Sequence, residues 1–186
     1  MILPIAERKI HEVLTKKISL QSFEQWLYED NVLESSNPDL YFELISFDYK
    51  SEDSFNRFYE NFAKYINFYK FEAERIAEYL YSIINNDENC GHAIWMMYEL
   101  YCDSYGFLGK IGMVYGFSLV DEVTSASNRN MEYIFDKFYP DIIVDAKNVL
   151  SWLEEGKIVF KNQDNGYGGF EYDDFRSEAE ILQGQA

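Results

Sequence analysis

Residues 68–85 read FYKFEAERIAEYLYSIIN and carry the most regular helical pattern in the chain. Their apolar positions follow the 3.6-residue repeat of an α-helix and are Phe68, Phe71, Ile76, Tyr79, Leu80 and Ile83. This spacing predicts an amphipathic helix with one face in a core. The polar run Asn85-Asn86-Asp87 predicts a turn at its end.

Helical patterns continue on both sides of this segment. Predicted helices cover residues 4–17, segments that start near Ser22, Asn37 and Ser51, and residues 90–103, 129–138 and 141–155. Ser19 or Ser22, Asn37 and Ser51 are the predicted N-caps, because their side-chain oxygens can accept from the first free backbone N–H groups. Pro38 suits the first turn after Asn37.

The helical pattern stops at Gly156, a predicted C-terminal stop signal. Residues 157–161 then resemble a strand, residues 165–169 contain glycine turn signals, and residues 170–175 alternate aromatic and acidic side chains. These features predict a β-hairpin. Because an isolated hairpin is only marginally stable, we expect it to pack on the helices.

The predicted fold is therefore mainly α. We expect a single multi-helix domain of about seven or eight helices over residues 1–155. Residues 156–186 form a small C-terminal β-hairpin and a tail, packed on the same domain.

The net charge of the 186-residue chain is −17, and 47% of its residues are hydrophobic. Such a chain can build a substantial core. Its negative field disfavours nucleic acid and anionic membranes as partners and favours a basic protein surface. The N-terminus lacks a signal-peptide pattern, and the longest weakly charged stretch, Tyr105–Val120, is too short to span a bilayer. We therefore expect a cytoplasmic protein.

Four glycines form a stripe in residues 106–116, namely Gly106, Gly109, Gly112 and Gly116. A phosphate-binding loop would need Ser or Thr after Gly-Lys, but Ile111 follows Lys110. The stripe instead predicts a helix that a neighbouring element approaches closely. Each interior glycine costs about 1 kcal/mol against alanine, which that packing must offset.

The sequence predicts no catalytic site, no metal and no cofactor. Cys90, His92 and Cys102 fall short of the four ligands of a structural zinc site, and we expect both cysteines to be buried free thiols. No Gly-x-Ser-x-Gly elbow is present, and the chain has only two histidines to serve as a base. We therefore expect a protein that is not an enzyme.

The C-terminal hairpin is the predicted partner-binding region. Residues 162–186 contain six acidic residues and one base, Arg176, among several aromatic side chains. Aromatic anchors ringed by carboxylates suit docking onto a basic protein. The predicted contact residues are Tyr167, Phe170, Glu171, Tyr172, Asp173 and Asp174. The alternative is a hairpin with its aromatic face on the core and its acidic face in water.

One stretch resembles a known class of proteins. Residues 23–28, FEQWLY, followed by residues 40–45, LYFELI, are similar to small acidic bacterial immunity proteins encoded beside polymorphic toxins. The resemblance covers residues 18–50 and matches no functional signature residue. It implies a cytoplasmic, non-enzymatic protein that binds a cognate toxin domain. Many such toxins are basic nucleases.

The functional hypothesis is an immunity protein that neutralises a basic toxin domain by acidic and aromatic contacts. Two alternatives stay open. One is an intracellular enzyme whose site is assembled in space from Tyr, Asp, Glu and one His. The other is a regulatory homo-oligomer that buries surface aromatics against a second copy.

Overall fold

The computed structural model describes residues 4–29, 31–119 and 137–185. Its fold is mainly α with a two-stranded antiparallel sheet near the C-terminus, which confirms the predicted fold class. The chain divides into two compact units, Met1–Phe68 and Tyr69–Ala186, and the hairpin belongs to the second. In these three ranges no helix is both long and apolar enough to cross a bilayer.

The first unit consists of short helices and one 3-10 turn. They are α1 (Pro4–Leu14), α2 (Leu20–Glu29), α3 (Asn31–Ser36), α4 (Pro38–Ile45), α5 (Ser54–Phe62) and the turn Ala63–Tyr65. Phe58 lies at the centre of the core, with the rings of Phe23, Phe47 and Phe62 at 5.3, 5.5 and 4.7 Å. Edge-to-face and tilted rings at these distances add to the stabilisation from burial.

The helix starts of this unit test the predicted caps. The Asn37 cap is confirmed, because its Oδ1 accepts from the backbone N–H of Leu40 at 3.3 Å. At α2 the cap is Ser19, whose Oγ accepts from the N–H of Ser22 at 3.0 Å. The Ser51 cap was wrong: its carbonyl accepts from Ser54 in a turn at 3.1 Å, and α5 begins after that turn.

The second unit holds the predicted helix of residues 68–85, which is confirmed as α6. Its elements are α6 (Tyr69–Asn85), α7 (Cys90–Cys102), a 3-10 turn (Gly106–Leu108), a π-helix (Lys110–Gly116), α8 (Asp141–Glu154), β1 (Ile158–Asp164), β2 (Phe170–Asp174) and α9 (Glu178–Gln183). Helix α6 packs against α7, α8 and β1, so it organises one common core. Most of the predicted helix at 129–138 lies outside the described residues.

The π-helix packs closely against α7 through its glycines. A Cβ added to Gly112 would lie 2.7 Å from Tyr101 Cβ, and one added to Gly116 would lie 2.7 Å from Tyr98 Cβ. Neither distance occurs in ordinary packing, so these positions need glycine. The predicted close approach is confirmed, and its neighbour is α7.

The hairpin follows Gly156, which ends α8 with φ +68 as predicted. Strands β1 and β2 pair antiparallel with Phe160 opposite Tyr172. Tyr105 ties β2 to the helices, because its hydroxyl accepts from the Phe170 N–H at 2.9 Å and donates to Glu72 at 2.7 Å. The hairpin is thus bonded to α6 through one buried tyrosine.

Helix α9, absent from the sequence prediction, closes the second unit. Its start is a capping box in which the backbone N–H groups of Ser177 and Glu180 each donate to the other's side chain. After it, the carbonyl of Gly184 accepts from the N–H of Lys110 at 2.9 Å. This bond attaches the tail to the start of the π-helix.

Candidate functional site

The two aromatic rings of the predicted hairpin site face the core. Phe170 and Tyr172 are half-buried and pack against the hydrophobic core of the second unit. The Tyr172 ring centroid lies 5.2 Å from that of Phe107 and 6.1 Å from that of Phe160. The faces that a partner would contact are therefore largely covered.

The two adjacent carboxylates of that site are paired within the chain. Asp173 accepts from Lys161 Nζ at 2.9 Å. Asp174 accepts from Arg176 Nε at 2.9 Å and Nη2 at 2.7 Å, and these hydrogen bonds lower the pKa of Asp174. The Arg176 guanidinium also lies 4.6 Å from the centre of the Trp152 ring. Both carboxylates stabilise the hairpin and its attachment to the helices.

Tyr167 and Glu171 are the remaining members of the predicted site. Tyr167 is 66% exposed at the tip of the hairpin. Glu171 forms no ion pair with any residue that the structure describes. The arrangement matches the alternative interpretation, with aromatic side chains inward and acidic ones outward. The partner-binding role of the six residues stays a prediction.

A second group of apolar side chains lies at the surface of α7, of the π-helix and of the residue that follows the π-helix. We call Trp95, Tyr98, Val114 and Phe117 the aromatic face. Trp95, Val114 and Phe117 are 38, 41 and 46% exposed. The Tyr98 ring lies between the other two rings, 6.3 Å from Trp95 and 6.0 Å from Phe117 by centroid. Two exposed rings and the half-buried ring of Tyr98 therefore form one continuous cluster at the surface.

Helix α7 exposes these rings because it is apolar on nearly all sides. Ile94, Met97 and Leu100 occupy the buried stripe, so Trp95 and Tyr98 fall on the other side of the helix. Trp95 is thus exposed to solvent although α7 is mainly apolar. The missed signal was the pairing of Trp95 with Tyr98, and of Val114 with Phe117, each at a spacing of three residues.

The glycines of the π-helix bring the two parts of the aromatic face together. Gly116 contacts the Tyr98 backbone and Cβ, which places Phe117 beside the Tyr98 ring. A larger residue at 116 would separate them. In the sequence the glycine stripe and the aromatic side chains of α7 lie apart, and only the packing of the two helices joins them.

The two cysteines are free, as predicted, but only Cys90 is buried. Cys102 is exposed, which corrects the prediction, because it lies on the same side of α7 as Tyr98. The pKa of Tyr98 is raised, first by its hydrogen bond with the Cys102 thiol and to a smaller extent by the Glu99 carboxylate.

The surroundings of the aromatic face are negative. No lysine or arginine lies between Arg75 and Lys110, whereas five acidic residues do: Glu78, Asp87, Glu88, Glu99 and Asp103. Lys110 is itself neutralised, since its Nζ lies 2.8 Å from Asp145 Oδ1. The acidic residues of this stretch would therefore attract a positively charged group near the face.

Two cavities formed by the described residues differ in size and enclosure. One beside Lys110, Asp145 and Asn148 has about 10 Å³, enough for a single water molecule. A larger hollow of about 410 Å³ in the first unit is open to solvent. Its charged lining residues, all exposed, are Glu43, Asp48, Arg57 and Lys64.

Metal coordination finds no support in the described ranges. Among residues 4–29, 31–119 and 137–185, no three His, Cys, Asp or Glu side chains come together as ligands. His92 instead packs its ring edge-to-face with Tyr79, with centroids 6.1 Å apart.

The sequence matches no protein-family model, and neither a curated protein nor a solved structure shows significant similarity to it. Functional inference therefore depends on the aromatic face and on the charge around it.

Proposed function

We propose that this chain is a cytoplasmic immunity-type protein that neutralises a cognate bacterial toxin domain by binding it. The observation that carries the proposal is the aromatic face, which lies on residues 95–117, where the single basic residue, Lys110, is paired with Asp145. Exposed aromatic clusters are uncommon on surfaces that contact only water and are typical of protein interfaces.

The residue types of the aromatic face suit tight binding. Tryptophan and tyrosine dominate the few residues that carry most of the binding energy in protein interfaces. Both are rigid, so they lose little conformational entropy when a partner covers them. Trp95 and Tyr98 already pack against each other, which restricts them further before binding.

The net charge of the second unit indicates which charge a partner would carry. Residues 69–186 contain 9 basic and 21 acidic residues, a net charge of −12, whereas residues 1–68 carry −5. A basic toxin domain would be attracted to this unit, and the attraction would speed association. A second copy of this chain would be repelled by the same charge, so we expect a monomer in sedimentation.

The direct test uses the product of the neighbouring gene. The two proteins are co-expressed, purified together and compared for toxicity with and without this chain. We expect a stable one-to-one complex, loss of toxicity and weaker association as salt rises. If the neighbouring product is not toxic, or if this chain neither binds it nor relieves its toxicity, the proposal fails.

A further inference from the structure

We propose that the aromatic face is a receptor for a cation, namely the guanidinium or ammonium group of a basic side chain on the partner. This inference rests on the proposed function, because it names the group that the partner would place on the same surface. It goes further in assigning the contact to the ring faces of Trp95, Tyr98 and Phe117 and to one carboxylate beside them.

The ring geometry leaves aromatic faces open. The Trp95 and Tyr98 planes meet at 62°, and the Tyr98 and Phe117 planes meet at 42°, so neither pair is stacked face to face. A cation is attracted to a ring when it lies within about 6 Å of the centroid. With centroids 6.0 and 6.3 Å apart, a cation above the cluster can contact two rings at once.

Other rings of this chain already hold cations. Arg176 lies 4.6 Å from the Trp152 ring centre, and Lys16 Nζ lies 5.0 Å from that of Phe55. Within the part of the chain that the structure describes, no lysine or arginine lies over the rings of the aromatic face. Among the described residues the cluster is therefore available to a cation from another molecule.

Glu99 supplies the second element of recognition. It follows Trp95 by four residues on α7, so the two side chains lie on neighbouring turns of one helix face. It forms no ion pair with any described residue, and its charge acts on Tyr98. A guanidinium on the rings could bind this carboxylate at its edge. That combination favours arginine over lysine, because guanidinium is planar and stacks while it donates.

The test follows the Trp95 indole N–H by NMR in the full ¹⁵N-labelled chain. The chain has three tryptophans, and the variant W95F identifies the Trp95 signal. The probe is the peptide acetyl-Gly-Arg-Gly-amide at millimolar concentration. Its control is the same peptide with citrulline, which keeps the shape of arginine without its charge.

We expect the arginine peptide to shift the Trp95 signal and leave the Trp26 and Trp152 signals in place, while the citrulline peptide has no effect. The variant E99Q should weaken binding about threefold, as expected for a half-buried surface charge beside aromatic rings. The matched variant E88Q removes the same charge from the turn that precedes α7, eleven residues before Glu99, and should change binding less.

Equal shifts with both peptides, or no shift of the Trp95 signal with either, would overturn the inference. Equal weakening of peptide binding by E99Q and E88Q would also overturn it, because the peptide would then be attracted by the overall negative charge of the protein and not by Glu99. The outcomes separate it from the proposed function. A toxin complex without arginine-peptide binding removes this inference alone, and peptide binding without a toxin partner removes the function alone.

Discussion

The hairpin and the aromatic face contain the same kinds of residue in opposite arrangements. In the hairpin, Phe170 and Tyr172 pack on the core, and Asp173 and Asp174 are paired with Lys161 and Arg176. On the aromatic face the rings are exposed, and the nearby Glu99 has no cation within the described residues.

The two arrangements differ because side chains repeat with a different period in a strand and in a helix. In a strand, successive side chains alternate, so Phe170 and Tyr172 share one face of β2, and Glu171 and Asp173 share the other. Around α7 the apolar residues exceed one face of the helix, so some rings must point outward. Similar composition therefore produces a structural surface in one place and an available surface in the other.

The largest expected effect is on folding stability, and it should differ between two tyrosines of the hairpin, Tyr172 and Tyr167. Tyr172→Ala removes a ring from the core and should lower the free energy of unfolding by about 3 kcal/mol. Tyr167→Ala removes an exposed ring and should change it by about 0.5 kcal/mol or less. Urea unfolding of both variants measures the difference, and equal losses would contradict the assignment of Tyr172 to the core.

The next effect is also on folding stability and concerns the contact between Gly116 and Tyr98, which brings the two parts of the aromatic face together. Gly116→Ala places a Cβ 2.7 Å from Tyr98 Cβ and should destabilise the protein by about 1–3 kcal/mol. The control Gly106→Ala places its Cβ 3.5 Å from the Tyr172 hydroxyl, an ordinary contact. Thermal unfolding should show a lower Tm for Gly116→Ala alone. A stabilised Gly116→Ala variant would show that the helices are not in close contact.

Removing the Tyr105 hydroxyl should cause a smaller loss of folding stability. Tyr105→Phe leaves the buried Glu72 carboxylate and the Phe170 N–H each without one partner, at a cost of about 1–2 kcal/mol. Hydrogen exchange at Phe170 should become faster as the hairpin loosens. Unchanged exchange there would mean that this bond does not hold β2 to α6.

The smallest effect is the pH dependence of α9. Hydrogen bonds from Lys157 and then Ser177 lower the pKa of Glu180 from 4.5 to about 2. A lowered pKa in the folded state means that stabilisation is complete above pH 4.5 and is lost as pH falls through about 2.

The charge-removing variant Glu180→Gln checks this linkage, with Glu178→Gln on the same helix as its control. At about pH 6, Glu180→Gln should be less stable than the wild type in urea unfolding, and the gap should close toward about pH 2. The control should follow the wild type at both values. A gap that stays constant with pH would exclude a role for the Glu180 charge.

Sequence patterns predicted the elements whose signals are local. Asn37 capped its helix, Gly156 ended α8, and the hairpin formed where turn glycines separated two strands. Each of these depends on a few adjacent residues with strong backbone or hydrogen-bonding preferences.

Features that depend on distant packing escaped prediction. Cys102 was expected to be buried, but only contacts with neighbouring elements decide which side of an apolar helix faces water, and Cys102 and Trp95 lie on the exposed side of α7. Likewise the pairing of Asp173 and Asp174 with Lys161 and Arg176 depends on the register of the strands and on the course of the tail. The aromatic face is therefore the better candidate for a binding surface than the hairpin.

The most direct test compares the two surfaces in one binding measurement. Isothermal titration with the toxin domain is carried out for Trp95→Ala and Tyr167→Ala, each checked for unchanged folding. Trp95→Ala should weaken binding by about tenfold or more, as for an interface anchor, and Tyr167→Ala should change it by about twofold or less. The reverse order, or no loss with Trp95→Ala, would contradict the assignment of the aromatic face as the binding surface.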